Sequence, residues 1–310
     1  MTGIKAIASF IPDNTLDNLE QGRSFGESEE FIREKIGATR LARMTDGMET
    51  SDMAVGAINA LFSQTGLKLE QVEALVVVTQ NPDGHGLPHT SAIVQSKAGL
   101  PTNIAAFDVS LGCSGYVYGL AIIKGLMATT GMKNGILVTA DPYSKVIDPK
   151  DRVTTLLFGD AATATWIGQD PLYDVVTPVF STDGSGAEHL KVEEGVLSMN
   201  GRQVFNFAAT KVPQQIKEYL QQHQLQPQDI DLYCMHQGSA SIVSTIARRF
   251  NEVADRFVND MDQTGNAVSS TLPLLLEKRI HDPANGTILL SGFGVGLSWA
   301  TTLLKRNETC

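Results

Sequence analysis

Phe107-Asp108-Val109-Ser110-Leu111-Gly112-Cys113-Ser114-Gly115-Tyr116 joins an apolar, strand-like run to a helix-like pattern through a turn of small residues, with a cysteine at the junction. Beyond the turn, Val117, Leu120, Ala121, Leu126 and Met127 fall near the spacing of one helical face, widened by Ile122 and Ile123, which predicts a mostly buried helix. A thiol at the first turn of such a helix feels the positive end of the helix dipole and free backbone N–H groups, and both favour the thiolate. Gly112, Ser114 and Gly115 are small enough to let a substrate carbonyl approach the sulfur. The same letters also fit a buried structural cysteine, because free cysteine is among the most buried residue types.

Outward from this junction the chain alternates strand-like and helix-like segments. Upstream, Ile4 to Phe10 predicts a first strand, Ser28 to Ile36 a short helix capped by Ser28, and Ser51-Asp52 the start of a helix that ends at Gly66. Leu75-Val76-Val77-Val78-Thr79 is a continuous apolar run, which marks a strand covered on both faces. Gln80 to Pro88 is a loop in which Pro88 separates His85 from His89, so the pair does not form a helical metal site. Downstream, Gly135 to Ala140 and the segment leading to Ile167 predict two more strands. A second round follows: a strand from Val175 to Ser181, a helix from Phe207 to Gln221, a strand from Ile230 to Met235, helices over 239–250 and 270–278, and a strand pair over 287–291 and 297–304. The repeated order predicts an α/β protein of two similar halves, residues 1–170 and 171–310, packed rigidly into one body.

Composition narrows the function. With 42% hydrophobic and 19% charged residues in 310, the chain reads as globular, and it holds no apolar run long enough to span a bilayer. Its first residues lead into a strand without a signal-peptide core, so the expected location is the cytoplasm. A formal net charge of −10 argues against nucleic acid as a partner. Three widely spaced cysteines, Cys113, Cys234 and Cys310, offer neither a disulfide framework nor a metal-ligand spacing.

Two more places carry chemistry. Strand 230–235 runs into His236-Gln237-Gly238-Ser239, which sets an imidazole at the carboxyl end of a buried strand, the usual edge for a site in an α/β sheet. Gly265-Asn266 places an amide in a small-residue turn ahead of an apolar run. Singly, His236 fits a core histidine and Asn266 a turn residue. Together with Cys113 they resemble the ketoacyl-ACP synthase III family of the thiolase superfamily, whose decarboxylating condensing enzymes carry this Cys, His and Asn in this order. The likeness runs from first strand to last, through Asp148-Pro149-Lys150-Asp151-Arg152, Phe158-Gly159-Asp160-Ala161-Ala162, Gly201-Arg202-Gln203-Val204-Phe205 and Gly292-Phe293-Gly294-Val295-Gly296-Leu297-Ser298-Trp299.

The resemblance implies a five-layered αβαβα fold and an acyltransferase of fatty acid biosynthesis type. Cys113 would take an acyl group from a thioester, with backbone N–H groups of Cys113 and Val295 as oxyanion hole. His236 Nε2 and Asn266 would hold the thioester oxygen of a malonyl-type acceptor while CO₂ leaves. It implies substrate contacts at Phe31, Lys35, Leu87, Arg152, Gly201 and Phe205, docking of an acyl carrier protein at Arg248 and Arg249, and a homodimer. Acyl carrier protein or coenzyme A thioesters would be substrates, with no separate cofactor and no metal. The entrance departs from the family's pattern: Phe31 and Lys35 replace a tryptophan and an arginine, and Ser239 and Ser241 replace an asparagine and an arginine. Lys cannot reproduce the planar bidentate phosphate contact of Arg. These changes favour a carrier-protein donor over coenzyme A and keep open transfer of the Cys113 acyl group to a hydroxyl or amine. Gln80 and Asn81 stand where hydroxymethylglutaryl-CoA synthase, a relative of this fold, uses a glutamate, which counts against that activity, and retention of all three residues counts against an inactive partner subunit.

Overall fold

The computed structural model describes residues 2–307; Cys310 lies outside them. Ten strands form one mixed sheet. Its order from one edge is Leu232–Met235, Thr287–Gly294, Ser298–Arg306, Tyr173–Val175, Thr2–Phe10, Ala162–Gln169, Asn134–Ala140, Ala74–Val78 and Ala105–Val109, with Val179–Thr182 also paired to Ser298–Arg306. Neighbours are parallel at both ends of this order and antiparallel through its middle. The two halves of this order join through a single residue pair, Ile4 with Tyr173.

Which side of each strand a residue faces fixes the layers. Val76 and Val78 pack in one core cluster and Leu75 and Val77 in another, as period-two alternation requires of a strand buried on both faces. Ile288 and Leu290 share the cluster of Val76 and Val78, although their strand lies near the far end of the sheet order. Between them stand Tyr116, Val117, Leu120 and Ile123 of helix Gly115–Thr130 and Leu272, Leu275 and Leu276 of helix Thr271–Glu277. The two ends of the sheet therefore face each other across these helices. Helices Thr50–Gln64 and Thr90–Lys97 cover one outer face, and Gly201–Gln222 and Ala240–Ala247 cover the other. This is the αβαβα layering expected. Each fully buried Leu, Ile or Val contributes about 1.5–3 kcal/mol, so the central helices are held mainly by burial. No helix among the described residues is long and apolar enough to cross a membrane.

Several elements differ from expectation. The helix expected over 28–36 contains a wider π turn at Phe31–Ile36, closed by Gly37 N–H donating to Ile32 O at 2.8 Å. A helix at Asn18–Ser24 escapes the sequence pattern because tertiary contacts secure it: Asn18 Nδ2 donates to Ala38 O and Leu156 O. The strand expected from Val175 to Ser181 is two short ones, each pairing with a different part of Ser298–Arg306. Helix Gly201–Gln222 starts before Phe207, capped by Asn200, and the helix expected to reach Phe250 ends at Ala247 before a 3-10 segment.

One close approach ties distant segments together near the site. Gly159 donates its N–H to Asn266 O at 3.0 Å, and a Cβ at Gly159 would stand 1.7 Å from Thr264 O. Gly159→Ala should therefore lower stability by about 3 kcal/mol as the Thr264–Asn266 backbone is pushed away, read as a drop in the urea midpoint. An unchanged midpoint would show that this contact can yield freely.

Candidate active site

Strand Ala105–Val109 delivers Cys113 to a tight turn, where Gly115 N–H donates to Gly112 O at 2.8 Å just ahead of helix Gly115–Thr130. Gly294 passes so close that a Cβ there would lie 2.8 Å from Cys113 Sγ. A side chain at this position would occupy the space above the sulfur. The thiol is 4% exposed, and burial, reinforced by Asp141, pushes its pKa well up. The N–H groups of Cys113 and Val295 pull the other way without prevailing. The expected thiolate is thus replaced by a neutral thiol, because a helix terminus supplies only about 1 kcal/mol against a larger desolvation cost. Those same two N–H groups are the pair expected to form an oxyanion hole.

His236 stands at the end of strand Leu232–Met235 and is 3% exposed. Its N–H donates to Ser291 O at 2.8 Å, and its ring meets Phe293 edge-on at 5.3 Å. Nδ1 lies 2.8 Å from Thr271 Oγ1, which lies 3.0 Å from Val268 O. With Nδ1 so engaged, Nε2 is the nitrogen left for a ligand. Burial lowers the imidazole pKa to about 3, opposed only in part by the Val268 backbone, so the ring is neutral at physiological pH. Asn266, also 3% exposed, accepts the Val268 N–H on Oδ1 at 3.0 Å, which leaves its NH₂ end as the donor. Val268 serves both residues from a left-handed backbone, φ +51°, costly for a β-branched side chain. Gln237 plays a structural part, its amide bonding Met235 O, Val258 O and Asp260 N–H.

Cys113, His236 and Asn266 line one cavity of about 530 Å³. Phe31, Lys35, Arg152, Gly201 and Phe205 line it too, as do Ser239 and Ser241. Arg152 is not free at this mouth, since Glu27 holds its guanidinium in an ion pair. Leu87 lies outside the cavity and is 93% exposed. Arg248 and Arg249 are exposed and also outside it. Val268 and Thr271 carry no signature in the sequence, because only the fold brings them to His236. Equally unsignalled is the hairpin Leu190–Glu193 with Val196–Met199, whose Leu190 and Met199 wall the cavity. Among the described residues no group of three or more His, Cys, Asp or Glu side chains is placed to hold a metal ion.

Two measurements check this electrostatic picture. Iodoacetamide should modify Cys113 more slowly than a free cysteine at pH 7.5, with a rate still climbing at pH 10; a plateau near neutrality would contradict the buried neutral thiol. An unfolded histidine binds a proton near its ordinary pKa of 6.5, whereas folded His236 does so only near 3. Between these values the unfolded chain binds more protons, so stability from His236 is whole above pH 6.5 and is lost as pH falls toward 3. The urea midpoint should fall less from pH 7.5 to 5 in His236→Gln than in the unaltered protein; equal falls would contradict the shift.

The comparisons agree with this geometry. The family model described as 3-oxoacyl-[acyl-carrier-protein (ACP)] synthase III matches residues 107–184, and its C-terminal counterpart matches residues 220–306. The beta-ketoacyl-[acyl-carrier-protein] synthase III of Lactococcus lactis subsp. cremoris (strain MG1363) is 30% identical over 324 residues, covering 97% of this chain and 98% of the relative. That of Streptococcus pyogenes serotype M4 is 31% identical over 321 residues, with the same coverage. A crystal structure of a 3-oxoacyl-(acyl-carrier-protein) synthase III superposes with a TM-score of 0.93 at 32% identity, over 98% of this chain and 99% of that one. The Thermus thermophilus enzyme gives 0.90 at 30% identity over 99% and 100%. Full-length likeness in sequence and fold, with Cys113, His236 and Asn266 lining one cavity, makes this chain a member of the beta-ketoacyl-[acyl-carrier-protein] synthase III family.

Proposed function

We propose that the protein condenses an acyl thioester with a malonyl-type thioester, using Cys113, His236 and Asn266. The observation that carries this is the meeting of a thiol, a neutral imidazole and a fixed amide in one largely apolar cavity. Cys113 Sγ attacks the thioester carbonyl, the C–S bond of the donor breaks, and the thiol proton ends on the departing thiol. The oxyanion formed on the way is held by the N–H groups of Cys113 and Val295.

In the second half-reaction the malonyl thioester oxygen accepts from Asn266 Nδ2 and His236 Nε2. Thr271 has one hydroxyl proton and two acceptors in reach, and gives it to Nδ1 when Nε2 carries the hydrogen. The bond to the malonyl carboxylate breaks, CO₂ leaves, and its electron pair becomes an enolate stabilised by the two donors. The enolate carbon attacks the acyl carbonyl on Cys113, and collapse breaks that C–S bond and releases the sulfur as a thiolate, which takes a proton from solvent to restore the thiol. Neutral donors suit this step, since a charged imidazole would be costly in a site this dry.

The partner is an acyl carrier protein in preference to coenzyme A. Phe31 offers less ring surface than tryptophan, Ser241 carries no charge, and Glu27 occupies Arg152. Arg248 and Arg249 are exposed and enter no ion pair among the described residues, a basic patch on an acidic protein that would steer an acidic carrier. The working form is a homodimer. Strand Ala105–Val109 ends the sheet with an unpaired, half-buried edge, and an open edge of this kind favours pairing with a second copy. Exposed Leu87 would then reach the second copy's acyl site.

Asn266→Ala and His236→Ala should each cut condensation by about 10²–10³-fold while acylation of Cys113 changes only a few-fold. Product formation and CO₂ release from malonyl-carrier protein, with intact-protein mass of the acyl-enzyme, separate the two half-reactions. Equal loss of both would contradict the assigned roles. An acyl-enzyme that forms without any CO₂ release would point instead to transfer onto a hydroxyl or amine.

A further inference from the structure

The two N–H groups beside the Cys113 sulfur come from turns far apart in the chain, so one turn has to be held against the other. Val295 opens the loop of a hairpin. Gly294 pairs with Ser298 in the antiparallel ladder of strands Thr287–Gly294 and Ser298–Arg306, which leaves Val295, Gly296 and Leu297 to make the turn. On one side this loop is clasped to Asp183: Leu297 N–H donates to Asp183 O at 3.0 Å, and Asp183 N–H donates to Leu297 O at 2.8 Å. On the other side the hairpin faces the nucleophile. A Cβ on Gly292 would stand 2.6 Å from Cys113 O, and one on Gly294 would stand 2.8 Å from Cys113 Sγ. Close contacts of this kind set how near the two turns come, but they have no preferred direction and leave the hairpin free to slide along the start of helix Gly115–Thr130.

A directional contact opposes that slide. Ser114 Oγ lies 2.8 Å from Ser298 Oγ, and the two residues are only 2% and 3% exposed. Ser114 directly follows Cys113, and Ser298 ends the loop that Val295 begins. Neither serine lines the cavity, so neither touches substrate there. We propose that Ser114 and Ser298 are positioning residues, whose hydrogen bond locks the hairpin against the cysteine turn so that the Cys113 and Val295 N–H groups aim at one oxygen. An oxyanion is held well only when each donor lies about 2.7–3.1 Å from it, so a displacement of a few tenths of an ångström weakens one of the two. His236 and Asn266 are aimed by Thr271 and Val268 instead. Loss of the serine bond therefore slows the steps in which the acyl carbonyl becomes tetrahedral and spares the loss of CO₂. The inference rests on the two half-reactions proposed above and adds the residues that align the first of them.

The test pairs Ser114→Ala with Ser298→Ala in one protein, because removing both hydroxyls leaves neither one facing a methyl group in a buried place. Acylation of Cys113 is followed by intact-protein mass after rapid quenching, with whichever of acetyl-, butyryl- and octanoyl-carrier protein loads the unaltered protein fastest. At saturating donor the double variant should acylate about tenfold more slowly, with the half-saturating concentration within about threefold of the unaltered value. Introduced into Cys113→Ala, the same two changes should leave CO₂ release from malonyl-carrier protein within about twofold. An unchanged acylation rate, or equal falls in acylation and CO₂ release, would overturn the positioning role. If the double variant does not fold, Ser114→Ala and Ser298→Ala are each read by the same ratio. Normal loading of the unaltered protein with an unchanged variant overturns this inference alone, whereas no loading by any of the three donors, or loading that survives Cys113→Ala, overturns the reaction beneath it as well.

Discussion

Val268 holds the site together from a backbone conformation it would not choose. At φ +51° a β-branched residue stores strain of about 1–3 kcal/mol, and here the surrounding contacts maintain it. Its N–H fixes the Asn266 amide, its carbonyl is within reach of the Thr271 hydroxyl that touches His236, and its methyl group packs near Gly112 beside the nucleophile. One turn therefore sets the direction of two donors and borders the residue before the sulfur. In the proposed reaction these two donors meet one oxygen, so the turn cannot relax without separating them.

Dryness governs the rest. Cys113, His236 and Asn266 are each almost wholly buried, and in that medium the charged forms of the thiol and the imidazole are disfavoured. A neutral ring and a neutral amide polarise a carbonyl without competing as nucleophiles, and they need no reorganisation when negative charge develops on the substrate. The thiol loses the advantage a thiolate would have as attacking group. The N–H groups of Cys113 and Val295 offset part of that loss, and in the proposed reaction the same groups hold the oxyanion. At the mouth, Glu27 already answers Arg152.

Much of this was legible in the letters, for identifiable reasons. A strand with one face in water alternates apolar and polar residues, so the unbroken apolar run from Leu75 to Val78 announced a sheet covered on both faces. Cys113, His236 and Asn266 sat at strand ends and turns, where sites form. What stayed hidden depends on distant partners. Thr271 gains a role only once His236 lies 2.8 Å away. The thiolate expectation failed because a dipole argument counts the helix but not the burial that packing imposes. The hairpin over the cavity escaped because its four-residue strands, such as Leu190-Lys191-Val192-Glu193, are too short for periodicity to register.

The most direct measurement is CO₂ release from malonyl-carrier protein by Cys113→Ala, alone and combined with Asn266→Ala. With the sulfur gone, the two donors should still stabilise the enolate, so CO₂ should appear without any new carbon–carbon bond, and adding Asn266→Ala should lower its release by about 10²-fold or more. Release that is indifferent to Asn266 would show that the buried amide does not hold the developing charge, and would contradict the site as described.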